Sequence, residues 1–115
     1  MLWKVDTASK HSIHDQLAGQ LRHAIAEGRL APGEKLAPAR ELADGLDVNV
    51  HTLLRAFKTL RDEGLLEVRR GRGTTVTGHA PRQAQFVDRA RELVAEARQA
   101  GLTDQEIRLT VEAQL

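Results

Sequence analysis

The segment Pro38–Thr77, with the sequence PARELADGLDVNVHTLLRAFKTLRDEGLLEVRRGRGTTVT, begins with two short amphipathic patterns. The first covers about residues 38–46 and the second about residues 50–63, and each has its apolar side chains at helical spacing. Asn49 lies between them and is suited to accept backbone N–H bonds at the start of the second helix, while Gly64 is suited to end it. We therefore expect two helices separated by a short turn.

A β-hairpin is predicted directly after these helices. Leu66 and Val68 alternate with charged residues, and residues 74–77 are rich in β-branched side chains. The glycine-rich tripeptide Gly71-Arg72-Gly73 separates the two runs and predicts the turn. Two helices separated by a short turn, with a hairpin immediately after them, form the outline of a winged helix-turn-helix.

Another helix is predicted before this motif. Ser12 is placed as its N-cap, and Asp15 occupies the third helical position, as in a capping box. Its apolar residues have helical spacing: Ile13, Leu17, Leu21, Ala24 and Ile25. Pro32-Gly33 then predicts a tight turn. At the start of the chain, residues 2–6 alternate well enough to predict a short strand at the edge of the core.

A different pattern begins after the break at His79-Ala80-Pro81. One amphipathic helix is predicted there and a second from Thr103, which would form a capping box with Glu106. Both helices need a partner surface, because neither can bury its own apolar face. We predict a head at residues 1–79 and, at residues 80–115, a tail that joins two copies of the chain. The residues expected in that dimer contact are Phe86, Ala90, Leu93, Val94, Ala97, Ile107, Val111 and Leu115.

The composition favours a mainly α protein. Of 115 residues, 41% are hydrophobic and only 3% are aromatic, so Leu, Val, Ile and Ala must build the core. The formal net charge is only +1, but Arg69, Arg70 and Arg72 form an acid-free cluster of the kind that binds phosphate. Three solvated arginines on a turn are the alternative. No stretch resembles a signal peptide or a membrane span, and there is no cysteine, so we expect a cytoplasmic protein without membrane contact.

Residues 11–77 resemble, in order and spacing, the GntR family of bacterial transcription regulators. The resemblance is carried by Gly28–Leu36, Arg40–Ala43, Val48–Leu53, Glu63–Leu66 and Gly71–Thr74. The short tail is similar to that of the YtrA-like subfamily, whose members dimerise through two C-terminal helices and often regulate adjacent ABC transporter genes. The resemblance implies a homodimer that binds a pseudo-palindromic operator in double-stranded DNA, and we expect it to act as a repressor.

The resemblance also implies where this chain contacts DNA. Arg40 matches an arginine that binds phosphate, residues 49–52 match the helix start that enters the major groove, and Arg72 with Gly73 matches the wing tip near the minor groove. The expected DNA-binding residues are Arg40, Asn49, Val50, His51, Thr52, Arg55, Arg70, Arg72, Gly73 and Thr74.

The sequence departs from the family pattern at two places. Ala37-Pro38 replaces the usual Pro-Ser before the second helix, which removes a side-chain cap worth about 1 kcal/mol, although a proline in the first helical turn compensates in part. Val50 replaces an arginine that many relatives have at the start of the third helix, which puts base recognition by that side chain in doubt. Two alternatives also stay open: Asn49 as a cap alone, and His51 as an ordinary exposed residue.

Ion pairing is the alternative role for the arginines on the two helices. Arg40 has Asp44 four residues later, and Arg55 lies on the same helix as Asp62. A carboxylate can hold a guanidinium that also meets a phosphate, so the two roles of Arg40 are compatible.

Two other classes of function compete with DNA binding. An enzyme is disfavoured because His11 and His14 lack a third ligand at a suitable spacing and the Gly71-Arg72-Gly73 turn lacks the strand-to-helix context of a nucleotide-binding loop. We therefore expect no catalytic residue, metal or cofactor. A winged helix that binds protein instead of DNA is the second alternative, against which the arginine-rich wing argues. The tail has too little core for a typical small-molecule pocket, so the effector stays unknown.

Overall fold

The computed structural model describes residues 5–6, 8 and 10–115. Most of the strand predicted at residues 2–6 lies outside this part of the chain, and residues 5–6 have no regular secondary structure. The elements that follow are α1 (Ile13–Ala26), α2 (Ala39–Leu46), α3 (Val50–Asp62), β1 (Leu66–Arg69), β2 (Gly73–Val76), α4 (Ala80–Gln99) and α5 (Asp104–Glu112). This order confirms a mainly α fold with a winged helix-turn-helix head.

The core of the head lies between α1 and α3, whose inward faces are fully buried. Those faces follow the 3.6-residue helical period: Leu17, Leu21 and Ile25 on α1, and Leu53, Ala56 and Leu60 on α3. The helix α2 packs against α3 and buries Ala43, whereas Leu42 and Leu46 stay partly exposed at the edge of the core. Each fully buried side chain of this size contributes about 1.5–3 kcal/mol, so the contact between α1 and α3 dominates the stability of the head.

The starts of the three head helices differ in how they are capped. The hydroxyl of Ser12 accepts a bond from the Asp15 N–H at 3.3 Å, and Asn49 Oδ1 accepts one from the His51 N–H at 2.7 Å. These bonds confirm Asn49 as the cap of α3 and Ser12 as the N-cap of α1. The capping box predicted for α1 is only half formed, because the Asp15 carboxylate lies 3.4 Å from His14 Nε2 and, within the described residues, does not reach back to the Ser12 N–H. The prediction of proline in the first turn of α2 is wrong, since Pro38 is the N-cap residue and supplies no side-chain cap.

The wing is the antiparallel pair of β1 and β2, in a register that places Leu66 opposite Val76. Both residues of that pair are buried, and the core ends beneath them. The alternation places Val68 on the same face of β1 as Leu66, but Val68 is 56% exposed because the hairpin extends past the core. Gly71 has a φ of +79°, which permits the tight turn between the strands.

The predicted break at residues 79–81 coincides with the start of α4, whose first two residues are Ala80 and Pro81. A proline is tolerated there because the first N–H groups of a helix have no intrahelical partner. Ala80 and Ala84 are fully buried in the core of the head, and Gln85 Nε2 donates to the Ala26 carbonyl at 3.3 Å. The chain accordingly divides into compact units at residues 1–85 and 86–115, later than the proposed boundary between residues 79 and 80.

The second unit contains the rest of α4 and all of α5. Thr103 and Glu106 form the predicted capping box, with bonds of 3.1 and 3.2 Å. Arg98 pairs with Asp104 at 3.0 Å across the bend between the helices. No residue from Phe86 to Leu115 is buried. Neither of these helices, nor any other in the described part of the chain, is long and apolar enough to cross a membrane.

Candidate nucleic-acid interface

The outer face of α3 is the most basic helical surface of the head. The inward-facing residues of α3 fill the core. Residues on the opposite side of the helix, spaced three or four positions from one another, therefore face outward. His51, Arg55, Lys58 and Arg61 all lie on this exposed side. The first turn of α3 contains no acidic residue, which leaves the positive end of the helix dipole without an internal counter-charge. The face therefore suits a polyanion.

The four residues predicted at the start of α3 differ in their exposure. Asn49 and His51 are exposed, whereas Val50 and Thr52 are partly buried. Val50 packs against the core of the head, so the side chain that replaces the family arginine serves the fold. Asn49 acts as the cap, which is compatible with a phosphate at the same helix end. His51 is therefore the exposed side chain of this turn that is not used as the cap.

The two helix arginines carry no ion pair within the described residues. Arg40 is exposed on the first turn of α2 and forms no bond to Asp44. Asp62 accepts a bond from Lys58 Nζ at 2.9 Å, so it is not the partner of Arg55. The intramolecular alternatives considered for Arg40 and Arg55 are therefore absent from the structure. Both guanidinium groups are available to an external anion.

The arginines of the wing differ from one another in ion pairing. Arg69 is paired with Glu67 at 3.1 Å, while Arg70 and Arg72 are exposed and form no ion pair with any described residue. The Arg72 N–H donates to the Arg69 carbonyl at 2.9 Å and closes the turn. Two unpaired cations thus lie at the tip of the hairpin, and the third cation of the cluster is neutralised.

The last two predicted residues of the wing lie on β2. Gly73 has a φ of +78° and pairs with Arg69, and Thr74 is partly buried. The Thr74 carbonyl accepts a bond from the Leu36 N–H at 2.9 Å, which attaches the loop before α2 to the wing. The hairpin is therefore anchored to the rest of the head along β2.

A groove of about 410 Å³ separates the outer face of α3 from the wing. It is lined by His51, Leu54, Arg55, Phe57, Lys58, Arg61, Val68 and Thr74. The structure thus brings together His51, Arg55 and Thr74 from the predicted set, whereas Arg40, Arg70 and Arg72 lie outside this groove.

Sequence analysis missed five residues of the groove lining, of which Phe57 is a buried core residue that only borders the groove. Lys58 and Arg61 continue the helical spacing of Arg55, so that spacing was a usable signal for them. Leu54 and Val68 carried no such signal, because apolar residues on a helix and a strand are ordinarily expected in the core. Within the described part of the chain, no three His, Asp or Glu side chains are placed to hold a metal ion.

Most of the predicted dimer residues are exposed. Phe86 is 68% and Leu93 52% exposed on α4, and Val111 and Leu115 are exposed on α5. Ala90 is also exposed, while Val94, Ala97 and Ile107 are partly buried. Large exposed apolar side chains at helical spacing are typical of a surface that binds another protein chain.

Comparison with known proteins assigns the head of this chain to a family. Residues 13–76 match the family described as bacterial regulatory proteins, gntR family. The HTH-type transcriptional regulator YdeF of Bacillus subtilis is 47% identical over 90 residues, which cover 76% of this chain but only 19% of YdeF. The HTH-type transcriptional repressor YtrA of the same organism is 30% identical over 105 residues, covering 86% of this chain and 81% of YtrA.

A solved structure shows the same architecture over most of the chain. It is YtrA from Sulfolobus acidocaldarius, described as a GntR-family transcription factor, which superposes with a TM-score of 0.65 at 38% identity. The match covers 82% of this chain and 99% of that protein.

Proposed function

This chain belongs to the GntR family of bacterial regulatory proteins and resembles its YtrA members, and we propose that it regulates transcription by binding a pseudo-palindromic operator as a homodimer. The observation that carries this proposal is the set of unpaired basic side chains on the outer face of α3 and at the wing tip. The outer face of α3 and the wing tip, two parts of the winged helix-turn-helix, both present cations that suit an anionic ligand. Double-stranded DNA is the polyanion that a winged helix-turn-helix accommodates.

The proposed DNA complex divides the work between phosphate and base contacts. Arg40, Arg55 and Arg72 bind phosphates and fix the orientation of the head, since backbone contacts carry no sequence information. The first turn of α3 enters the major groove, where His51 and Thr52 meet base edges. The second turn follows the same groove outward along the basic face of α3.

The tail supplies the two-fold symmetry that a pseudo-palindrome requires. The stripe that includes Phe86 and Leu93 is exposed on α4, and nothing from Phe86 to Leu115 is buried in one copy. A second copy of the tail would cover the same patch reciprocally, as in a two-fold interface. Two heads would then read two half-sites of one duplex.

Repression is the proposed outcome of binding. YtrA of Bacillus subtilis is named a transcriptional repressor, and a dimer seated on promoter DNA would block transcription by occupancy. The proposed place of action is the cytoplasm, where bacterial DNA lies. The proposal assigns no catalytic step, cofactor or effector.

The proposal is tested by selecting binding sequences from a random DNA pool and measuring affinity by fluorescence anisotropy. Arg55→Ala should weaken binding to the selected DNA at least tenfold, because a hydrogen bond to a charged phosphate contributes about 1.5–3 kcal/mol.

Arg29→Ala is the matched control, since that arginine follows the end of α1. The contact of Arg22 with Glu63 places this end of α1 near the C-terminal end of α3, away from the proposed DNA-reading turn. Arg29→Ala should leave the affinity unchanged. The proposal would be contradicted if no sequence were enriched from the random pool, or if Arg55→Ala and Arg29→Ala lost equal affinity for the selected DNA.

A further inference from the structure

Leu54 is an apolar residue at the centre of the basic face of α3. Its side chain is 45% exposed and lines the groove between α3 and the wing. Val68, 56% exposed, lines the same groove from β1, and the edge of Phe57 contributes to it. Single exposed apolar residues are common on protein surfaces. Two that line one groove within a basic surface point to a ligand with both an apolar and an anionic part.

The charges around Leu54 restrict the class of that ligand. His51 precedes it by three residues, Arg55 follows it directly and Lys58 follows it by four, so basic side chains surround it on the same helical face. The acidic side chain nearest along this face, Asp62, is already paired with Lys58 at 2.9 Å. The ligand must therefore be anionic overall, with an apolar group that reaches the middle of α3.

Thymine is the base that supplies such a group. Its C5 methyl is the one apolar substituent that the four bases present in the major groove of DNA. Val50, the apolar residue in the first turn of α3, is occupied by packing against the core, which leaves Leu54 as the exposed apolar side chain of this helix toward the DNA.

We propose that Leu54 reads a thymine by contact with its C5 methyl group, so that each half-site carries a thymine opposite the second turn of α3. This inference rests on the proposed DNA binding and deepens it by assigning a specificity-determining residue. Leu54 gives sequence preference without a hydrogen bond, while the surrounding cations hold the backbone. Val68 forms the opposite wall of the groove and is not part of the base contact.

The test replaces the thymines of the selected DNA one at a time by deoxyuridine, which removes the methyl group and preserves base pairing. Each half-site should contain one thymine whose replacement weakens binding of the wild-type chain. Replacing that thymine in a single half-site should weaken binding about 4-fold, the factor expected for removing one methylene-sized apolar group from contact. Replacement in both half-sites should cost about 15-fold. Leu54→Ala should bind thymine and deoxyuridine duplexes equally.

Val68→Ala is the matched control, because it also shortens an exposed apolar side chain of the groove. It should retain the full deoxyuridine effect. Thermal unfolding of Leu54→Ala checks that the variant is folded, as expected for a half-exposed side chain. Deoxyuridine substitutions that are all silent in the wild-type chain, or that remain costly in Leu54→Ala, would overturn the inference while leaving DNA binding intact. A chain that prefers no DNA sequence would overturn the proposed function and the inference together.

Discussion

Glu63→Ala is expected to destabilise the head more than any substitution of an exposed residue on α3. Glu63 is the C-cap residue of α3 and accepts two bonds from Arg22 on α1, Nε to Oε1 at 2.9 Å and Nη2 to Oε2 at 2.8 Å. The side chains of Arg22 and Glu63 are only 3% and 18% exposed. The local sequence predicts the opposite effect, because a negative charge at the end of a helix is unfavourable by about 0.3–1 kcal/mol.

The magnitude follows from the burial of the guanidinium. Removing one partner of a buried ion pair costs about 3–5 kcal/mol, because the remaining charge stays desolvated and an arginine cannot give up its proton. Partial exposure of Glu63 and relief of its interaction with the helix dipole reduce the expected loss to about 2–4 kcal/mol. For a domain of this size, each kcal/mol lowers the melting temperature by about 4–8 °C, so Tm should fall by at least about 8 °C.

Calorimetry at one fixed protein concentration measures this shift, since Tm of an oligomer depends on concentration. Asp62→Ala is the matched control: it removes the neighbouring carboxylate, whose pair with Lys58 is exposed and worth less than about 0.5 kcal/mol. The double substitution Arg22→Met with Glu63→Leu should recover most of the loss, because no buried charge remains. A Glu63→Ala shift no larger than that of Asp62→Ala would refute the reasoning.

Three further predictions concern the cap of α2, the wing turn and the tail. Pro38→Ser should raise the free energy of unfolding by about 1 kcal/mol, because serine would supply the missing side-chain cap; a lower urea midpoint would count against it. Gly71→Ala should lower the free energy of unfolding by about 1–2 kcal/mol, because φ at this position is +79°. Gly19→Ala within α1 should raise the free energy of unfolding by about 0.5–1 kcal/mol, and urea midpoints that shift in the same direction for both variants would contradict this. Leu93→Lys should shift the chain from dimer to monomer in sedimentation, while Leu109→Lys, equally exposed but off the predicted stripe, should leave the dimer intact; two dimeric variants would argue against the proposed tail contact.

The features that the sequence predicted well are those that depend on neighbouring residues. The bonds that Asn49 accepts from His51 and that Thr103 accepts from Glu106 span two or three positions, so the chemistry of a few side chains specifies them. The wing turn depends on Gly71 in the same way. The order of the helices and the hairpin could therefore be predicted.

The features that were missed depend on contacts between distant parts of the chain. Arg22 and Glu63 are 41 positions apart, and neither has a local pattern that indicates a buried pair. Ala80 and Pro81 looked like a break, because their role as the first turn of α4 requires the head core that buries Ala80. The exposure of Val68 could not be predicted, because alternation does not show where the core ends. The groove beside α3 was hidden for the same reason.

The central claim is that two heads, joined by one symmetric tail, read a single duplex. Recognition helices on one face of B-DNA require half-site centres roughly 10 base pairs apart or a multiple of that spacing. In the proposed complex, Arg40, Arg55, Arg72 and one more wing arginine would provide three or four phosphate contacts per head. A dimer therefore neutralises about six to eight phosphates, and log K should fall with log salt at a slope of about −5 to −7.

The most direct measurement is a salt titration of the selected operator beside the same duplex with five base pairs inserted between its half-sites. The insertion turns the second half-site to the opposite face of the helix, so it should reduce affinity to that of a single half-site and roughly halve the salt slope. Equal affinities and equal slopes on the two duplexes would contradict binding by a two-headed dimer.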